Sequence, residues 1–77
     1  KPNAKITLTG HTDTDGAANK NVEIGQSRAE RIKKYMNQNG INGAQISTTS
    51  KGESAPIATN NTPDGKAKNR RVEIRLN

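Results

Sequence analysis

The segment GHTDTDG, residues 10 to 16, sets one histidine and two aspartates between two glycines. A calcium loop of the EF-hand type needs carboxylates at its first and last coordinating positions. With Gly16 at the sixth position, those places fall on His11 and Val22, and neither can serve. A zinc site would start from His11 and Asp13 and need a third ligand from elsewhere, because the chain has one histidine and no cysteine. A phosphate loop needs a lysine and a hydroxyl residue after its second glycine, where Ala17 and Ala18 stand. Hydrolysis needs a nucleophile with a base in reach. Ser27 has no histidine near it in sequence and falls on a predicted helix. Asp13 and Asp15, two apart in a loop, read as turn formers before they read as paired acids. His11 reads as a turn residue whose ring bonds nearby backbone.

What remains is recognition of charge. Asp13 follows the C-terminal end of a predicted strand, and Asn21 and Arg28 lie on the first turns of the next predicted helix. In α/β sheets, strand C-termini and the helix N-termini that follow them border the usual ligand crevice. A carboxylate there takes an ammonium, and a guanidinium takes a carboxylate through two parallel hydrogen bonds. The pair suits a zwitterion. Asp13 and Arg28 could equally satisfy each other, and the residues alone leave both possibilities open.

The elements that must position these groups follow from periodicity. AKITLTG (4–10) alternates, with Ile6 and Leu8 on one side, and predicts a half-buried strand stopped by Gly10. Residues 10–21 are rich in turn formers. NVEIGQSRAERIKKYMNQNGI predicts a helix capped by Asn21, with Glu23 near its positive end. Ala29, Ile32 and Met36 form its apolar stripe, with Tyr35 beside them. Gly25 costs helix propensity, and Gly40 followed by Ile41 fits a Schellman ending. AQISTTSKG (44–52) is a weaker strand, anchored by Ile46. Residues 53–65 read as loop, and PDGKAKNR holds one helical turn with Asp64 near its start. RVEIRLN (71–77) predicts the clearest strand, with Val72, Ile74 and Leu76 facing one way. The order strand, helix, strand, loop, strand predicts one α/β domain over residues 1–77, with one sheet and one amphipathic helix in two layers. Gly10 and Gly16 are expected to supply backbone angles that other residues avoid.

Composition bounds the rest. At 77 residues the chain forms at most one small domain. Ile, Leu, Val and Phe number 11 of 77, under the roughly 20% at which disorder becomes an alternative; the regular placing of those few residues argues against it. No apolar run approaches the roughly 18–20 residues that span a bilayer. The opening KPNAK lacks the marks of a signal peptide and reads as the interior of a longer chain, so compartment is not legible from targeting signals. The net charge of +6 favours an anionic partner. Binders of single-stranded nucleic acid usually add aromatic platforms, and this chain has only Tyr35.

ITLTGHTDTDG, N-x-x-I-G-x-x-RA, YMNQNGI, KGESAPIATN and DGKAKNRRVEI, in that order and at those spacings, resemble the OmpA-like domain. This is the peptidoglycan-binding module of outer membrane protein A C-termini, peptidoglycan-associated lipoproteins and flagellar stator proteins. The resemblance covers nearly all 77 residues. It implies a βαβαβ-type α/β (α+β) sandwich with a mixed sheet. It also implies non-covalent binding of the meso-diaminopimelate in the peptidoglycan stem peptide. Asp13 would hold the ammonium of that residue's free end and Arg28 the adjoining carboxylate. Asn21 and Ile24 would add side-chain and backbone contacts, and Arg70 a further donor, with Arg71 less clearly placed. The family normally opens with a further strand and helix, so the chain resembles an N-terminally shortened member with one sheet edge open. Ile24-Gly25 replaces the commoner Leu-Ser.

The function so implied is anchoring of an envelope protein to the wall, at the periplasmic face of a Gram-negative outer membrane. It calls for no cofactor, no metal, no catalytic residue and no nucleic acid. Membrane contact would come only through segments fused outside these residues, and oligomeric state, a homodimer included, is left open. The alternative is a basic nucleic-acid-binding module using Lys66, Lys68, Arg70 and Arg71, distinguishable by its steep salt dependence. A metal-dependent hydrolase around His11 and Asp13 is a more distant one.

Overall fold

A computed structural model of the chain describes residues 4–76; Asn77, expected at the end of the last strand, lies outside them. Strand β1 (Ile6–His11) leads to helix α1 (Ala18–Gln38), a 3-10 turn (Gly43–Gln45), β2 (Ile46–Gly52), α2 (Pro63–Asn69) and β3 (Arg71–Leu76). The sheet order is β2-β1-β3. β1 is parallel to β2, with Ile6 beside Ile46, and antiparallel to β3, with Leu8 beside Ile74. The fold is the expected mixed α/β arrangement. The parallel pair follows from the helix between the two strands, since a parallel neighbour can be reached only by a crossover.

The core is small. Ile6, Leu8, Ala29 and Ile46 are buried, and Ile32, Met36, Ile41 and Val72 pack against them half-buried. Each fully buried aliphatic side chain contributes about 1.5–3 kcal/mol. The alternation of β1 is therefore decisive: Ile6 and Leu8 enter the core, and Thr7 and Thr9 face the other way. The α1 stripe is as expected at Ala29, Ile32 and Met36, but Tyr35 beside it is exposed.

Where α1 crosses β1, two glycines meet. A Cβ on Gly10 would lie 1.7 Å from the Gly25 carbonyl oxygen, and a Cβ on Gly25 would lie 2.9 Å from the Gly10 oxygen. Gly10 thus serves close approach of helix to strand; its backbone angles are ordinary, contrary to expectation, because among the described residues only Gly16, Gly40 and Gly52 have positive φ. Gly25 repays its propensity cost through the same contact. Gly40, at φ 95°, is the expected C′ residue. Its N–H donates to Asn37 O and that of Ile41 to Met36 O, as a Schellman ending requires.

Several expectations are corrected. Helix α1 starts three residues before Asn21, with Ala17 as N-cap, and no acidic residue lies in its first turn. Asn21 is drawn into the protein instead of capping, and Glu23 is a turn too late to meet the helix end. Helix α2 runs two turns, not one. Thr62 Oγ1 caps it by accepting from the Gly65 N–H, Pro63 opens it, and Asp64 lies in its first turn. The apolar face of β3 is only partly used: Val72 is half-buried, while Ile74 and Leu76 are exposed, because α1 lies over β1 and β2. β2 and β3 are the two edges of the described sheet.

Candidate binding site

Four segments converge at the C-terminal end of β1: the loop from Thr12 to Ala17, the first half of α1, the end of β2, and the α2–β3 junction. The Thr12 N–H donates to Gly52 O at 2.9 Å, which ties the loop to β2. The Asn21 side-chain amide donates to Asp13 O at 3.2 Å and to Glu53 Oε1 at 2.8 Å, linking loop, helix and the residue after β2. Asn21 is 3% exposed. It fixes the backbone that carries Asp13, which asks for burial, not for the open helix end that a cap would occupy.

Asp13 is 6% exposed. Its Oδ1 accepts from the Asp15 N–H at 2.9 Å and its Oδ2 from Arg70 Nη1 at 2.6 Å. The backbone donor and then the guanidinium hold its carboxyl below the usual carboxylate range. The first contact is an Asx turn, so Asp13 shapes the loop as well as presenting charge. An ionised carboxylate offers about four acceptor positions. The protein's two donors leave room for others.

Arg28 is not paired with Asp13. Its Nη1 donates to the His11 carbonyl at 3.0 Å, so strand end and helix are joined through backbone. Arg70 closes on Asp13 from the α2–β3 junction, and Lys66 meets Asp15 at 3.1 Å. Arg71 binds Glu73 through two nitrogens and Ala55 O through one of them. Thus three of the four cations in the 66–71 tract are each engaged by a carboxylate. Arg28, Arg70 and Arg71, with Arg31, Ile32 and Val72, line a cleft of about 350 Å³ between α1 and the start of β3. Ile24, exposed on the outer side of α1, lines an adjoining groove of about 440 Å³ with Lys20, Glu23, Ser27, Arg28 and Arg31. The cleft gathers Arg28 and Arg70, Asp13 backs it through Arg70, and Ile24 flanks it; Asn21 lies beneath.

His11 is no turn residue. It ends β1 and is 2% exposed. Both ring nitrogens lack a hydrogen-bond partner among the described residues, and Nε2 stands 3.5 Å from Glu73 Oε1. Burial, then the nearby Arg71 charge, pushes its pKa below the ordinary value despite Glu73. No group of three or more metal-ligating side chains occurs among the described residues.

Three supporting residues were not foreseen. Glu53 anchors Asn21 from a stretch whose Pro and Asn content signals only loop. Asn69, fully buried, accepts from the Ile57 and Ala58 N–H groups and donates to Ala58 O and Asn60 Oδ1, so it holds the whole 57–60 loop. Its place at the head of NRR was the available signal. Arg31 lines the cleft one helical turn beyond Arg28, and that spacing was legible in the sequence.

A sequence profile of the OmpA family matches residues 1–70. The chain is 42% identical over 76 residues to the peptidoglycan-binding protein ArfA of Mycobacterium bovis, covering 99% of this chain and 23% of that protein. The crystal structure of the peptidoglycan-associated lipoprotein from Burkholderia pseudomallei superposes with a TM-score of 0.95 at 30% identity, over 99% of this chain and 64% of that one. The C-terminal domain of Helicobacter pylori MotB superposes with a TM-score of 0.89 at 35% identity, over 96% and 57%. The chain spans less than two thirds of each. By sequence and by fold, it belongs to the OmpA family.

Proposed function

We propose that this chain binds peptidoglycan non-covalently by gripping the free end of meso-diaminopimelate in the stem peptide, and so anchors an envelope protein to the wall on the periplasmic side of the outer membrane. Asp13 takes the ammonium. Arg28 and Arg70 take the adjoining carboxylate, and Ile24 packs on the aliphatic chain beside them. Asn21 acts from beneath, by holding the Asp13 carbonyl. The observation that carries this reading is the buried, ionised Asp13 at the end of β1, backing a cleft lined by guanidinium groups. The names of ArfA and of the Burkholderia lipoprotein support the peptidoglycan part. The nucleic-acid alternative draws less support, because Lys66 and Arg71 are engaged by Asp15 and Glu73.

The test is calorimetry with free meso-diaminopimelate, its mono-N-acetyl derivative and lysine. Acetylation removes the positive charge and leaves Asp13 facing an amide, and an unpaired buried charge costs several kcal/mol. Lysine offers an amine without the second carboxylate. Diaminopimelate is expected to bind best, with the other two weaker by at least about tenfold. Asp13→Ala and Arg28→Ala each remove a charged hydrogen bond of roughly 1.5–3 kcal/mol, against about 8 kcal/mol for a micromolar complex. Both should lose sacculus pull-down while keeping the fold. Arg28→Lys keeps the charge but not the fork, so it should lose affinity in part. Equal binding of free and acetylated ligand would refute the role of Asp13.

A further inference from the structure

Four guanidinium groups line the cleft between α1 and β3, and they are not equivalent. Arg70 is held by Asp13. Arg71 is held by Glu73 and Ala55 O. Arg28 is held by the His11 carbonyl. Arg31 is exposed and has no hydrogen bond or ion pair to any described residue. It nevertheless lines both the cleft and the groove along α1. Residues three apart on a helix are neighbours on its surface, with Cβ atoms about 5–6 Å apart. Arg31 therefore stands beside Arg28 with its donors uncommitted.

We infer that Arg31 binds a second carboxylate of the ligand, one borne by the stem peptide beside the diaminopimelate. The inference rests on the function proposed above. One carboxylate at the free end of diaminopimelate suffices for Arg28. A second guanidinium on the same helix face, with no acceptor among the described residues, suits an anion that a peptide carries one residue away. A stem peptide has two such groups. A glutamate linked through its side chain leaves its α-carboxylate free, and the peptide's own C-terminus is the other. A lone α-amino acid ligand lacks both. Arg31 would thus make the site read a stretch of stem, with diaminopimelate as its centre.

The experiment compares the wild-type chain and Arg31→Gln by calorimetry against four synthetic tetrapeptides: Ala, γ-linked Glu, meso-diaminopimelate, Ala. One is unmodified, one is amidated at the glutamate α-carboxylate, one at the C-terminus, and one at both. Arg31 is exposed, so the glutamine variant keeps the fold. An exposed charged contact is expected to change affinity about three- to tenfold. Arg31→Gln should lose that factor on the unmodified peptide and stay within about twofold of wild type on the doubly amidated one. The singly amidated peptide that reproduces the loss identifies the carboxylate. The Arg31 increment should shrink in 0.5 M salt, where the Debye length is about half its physiological value or less. Equal affinity of the two proteins for the unmodified peptide overturns the inference, even if both bind diaminopimelate. Failure of both proteins to bind any peptide overturns the proposed function, and this inference with it.

Discussion

Adding one methyl group at Gly10 should unseat helix α1. The new Cβ would stand 1.7 Å from the Gly25 oxygen, 2.4 Å from its carbonyl carbon and 2.8 Å from its Cα. Carbon and oxygen ordinarily approach to about 3.3 Å, close to the C–H···O range, so the two backbones must part by about 1.5 Å. No side-chain rotation relieves the clash, since every atom met is backbone. Overpacking a core usually costs 1–3 kcal/mol, and a backbone-on-backbone clash belongs at the upper end or beyond. A chain of this length has roughly 4–12 kcal/mol of stability in all. At 4–8 °C per kcal/mol, Gly10→Ala should lower the midpoint of thermal unfolding by at least about 12 °C, or abolish the transition. Gly25→Ala is the control. Its Cβ meets Ser50 Oγ at 2.3 Å and Gly10 O at 2.9 Å. The hydroxyl can rotate away, but the Gly10 oxygen is backbone and must give by a few tenths of an ångström, offset in part by about 1 kcal/mol of regained helix propensity. That variant should therefore also lose stability, but clearly less than Gly10→Ala, and Ser50→Ala should recover part of the loss. Melts followed by circular dichroism decide the matter: a Gly10→Ala midpoint within about 4 °C of wild type would show that the helix does not rest on the strand as described.

Two further outcomes follow from buried polar groups. His11 has a depressed pKa from burial and the Arg71 charge, so folding favours its neutral form. Its contribution is complete above about pH 6.5 and is lost as pH falls from there through the folded value. The melting midpoint should drop between pH 7.5 and 5.5, and His11→Gln should flatten that limb. Asp13 and Glu73, whose pKa values are also lowered, act only below about pH 4.5. If His11→Gln keeps the wild-type slope between pH 7.5 and 5.5, the imidazole is not its source. Asn69→Ala strips four part-buried hydrogen bonds from the 57–60 loop and should cost about 2–6 kcal/mol, at roughly 0.5–1.5 kcal/mol for each. Amide exchange at Ile57 and Ala58 should rise by more than that at Leu8, and unchanged protection there would contradict the role given to Asn69.

The strands, α1 and its Schellman end were legible because each is written in a local pattern: alternation at Ile6 and Leu8, the stripe through Ala29, Ile32 and Met36, the glycine at 40. The start of α1 was misread because Asn21 is chemically a cap, while the contacts that recruit it, Asp13 O and Glu53, lie 8 and 32 residues away. No window along the chain contains them. The partner of Asp13 was missed for the same reason. Arg28 is near it in sequence, Arg70 is 57 residues off, and the antiparallel return of β3 decides between them. The exposure of Ile74 and Leu76 shows the limit of pattern. Alternation tells which residues share a face of the sheet, not whether a second layer extends far enough to cover it.

The sheet register also has a mechanical consequence. Ile6 pairs with Leu76, and His11 with Arg71. The described chain therefore enters and leaves at one end of the sheet, while Asp13 and the arginine-lined cleft sit at the other. In the proposed binding mode, tension between a gripped ligand and whatever holds either end of this segment would run lengthwise, along β1 on one side and β3 on the other. The bonds between these two strands lie across that direction, so they share the load and must shear together instead of peeling one by one. β1 is the central strand, bonded along both edges, and it carries the shortest path from Ala4 to Asp13. A pull on the ligand is thus resisted by the best-connected element of the sheet, along the axis in which a sheet yields least readily.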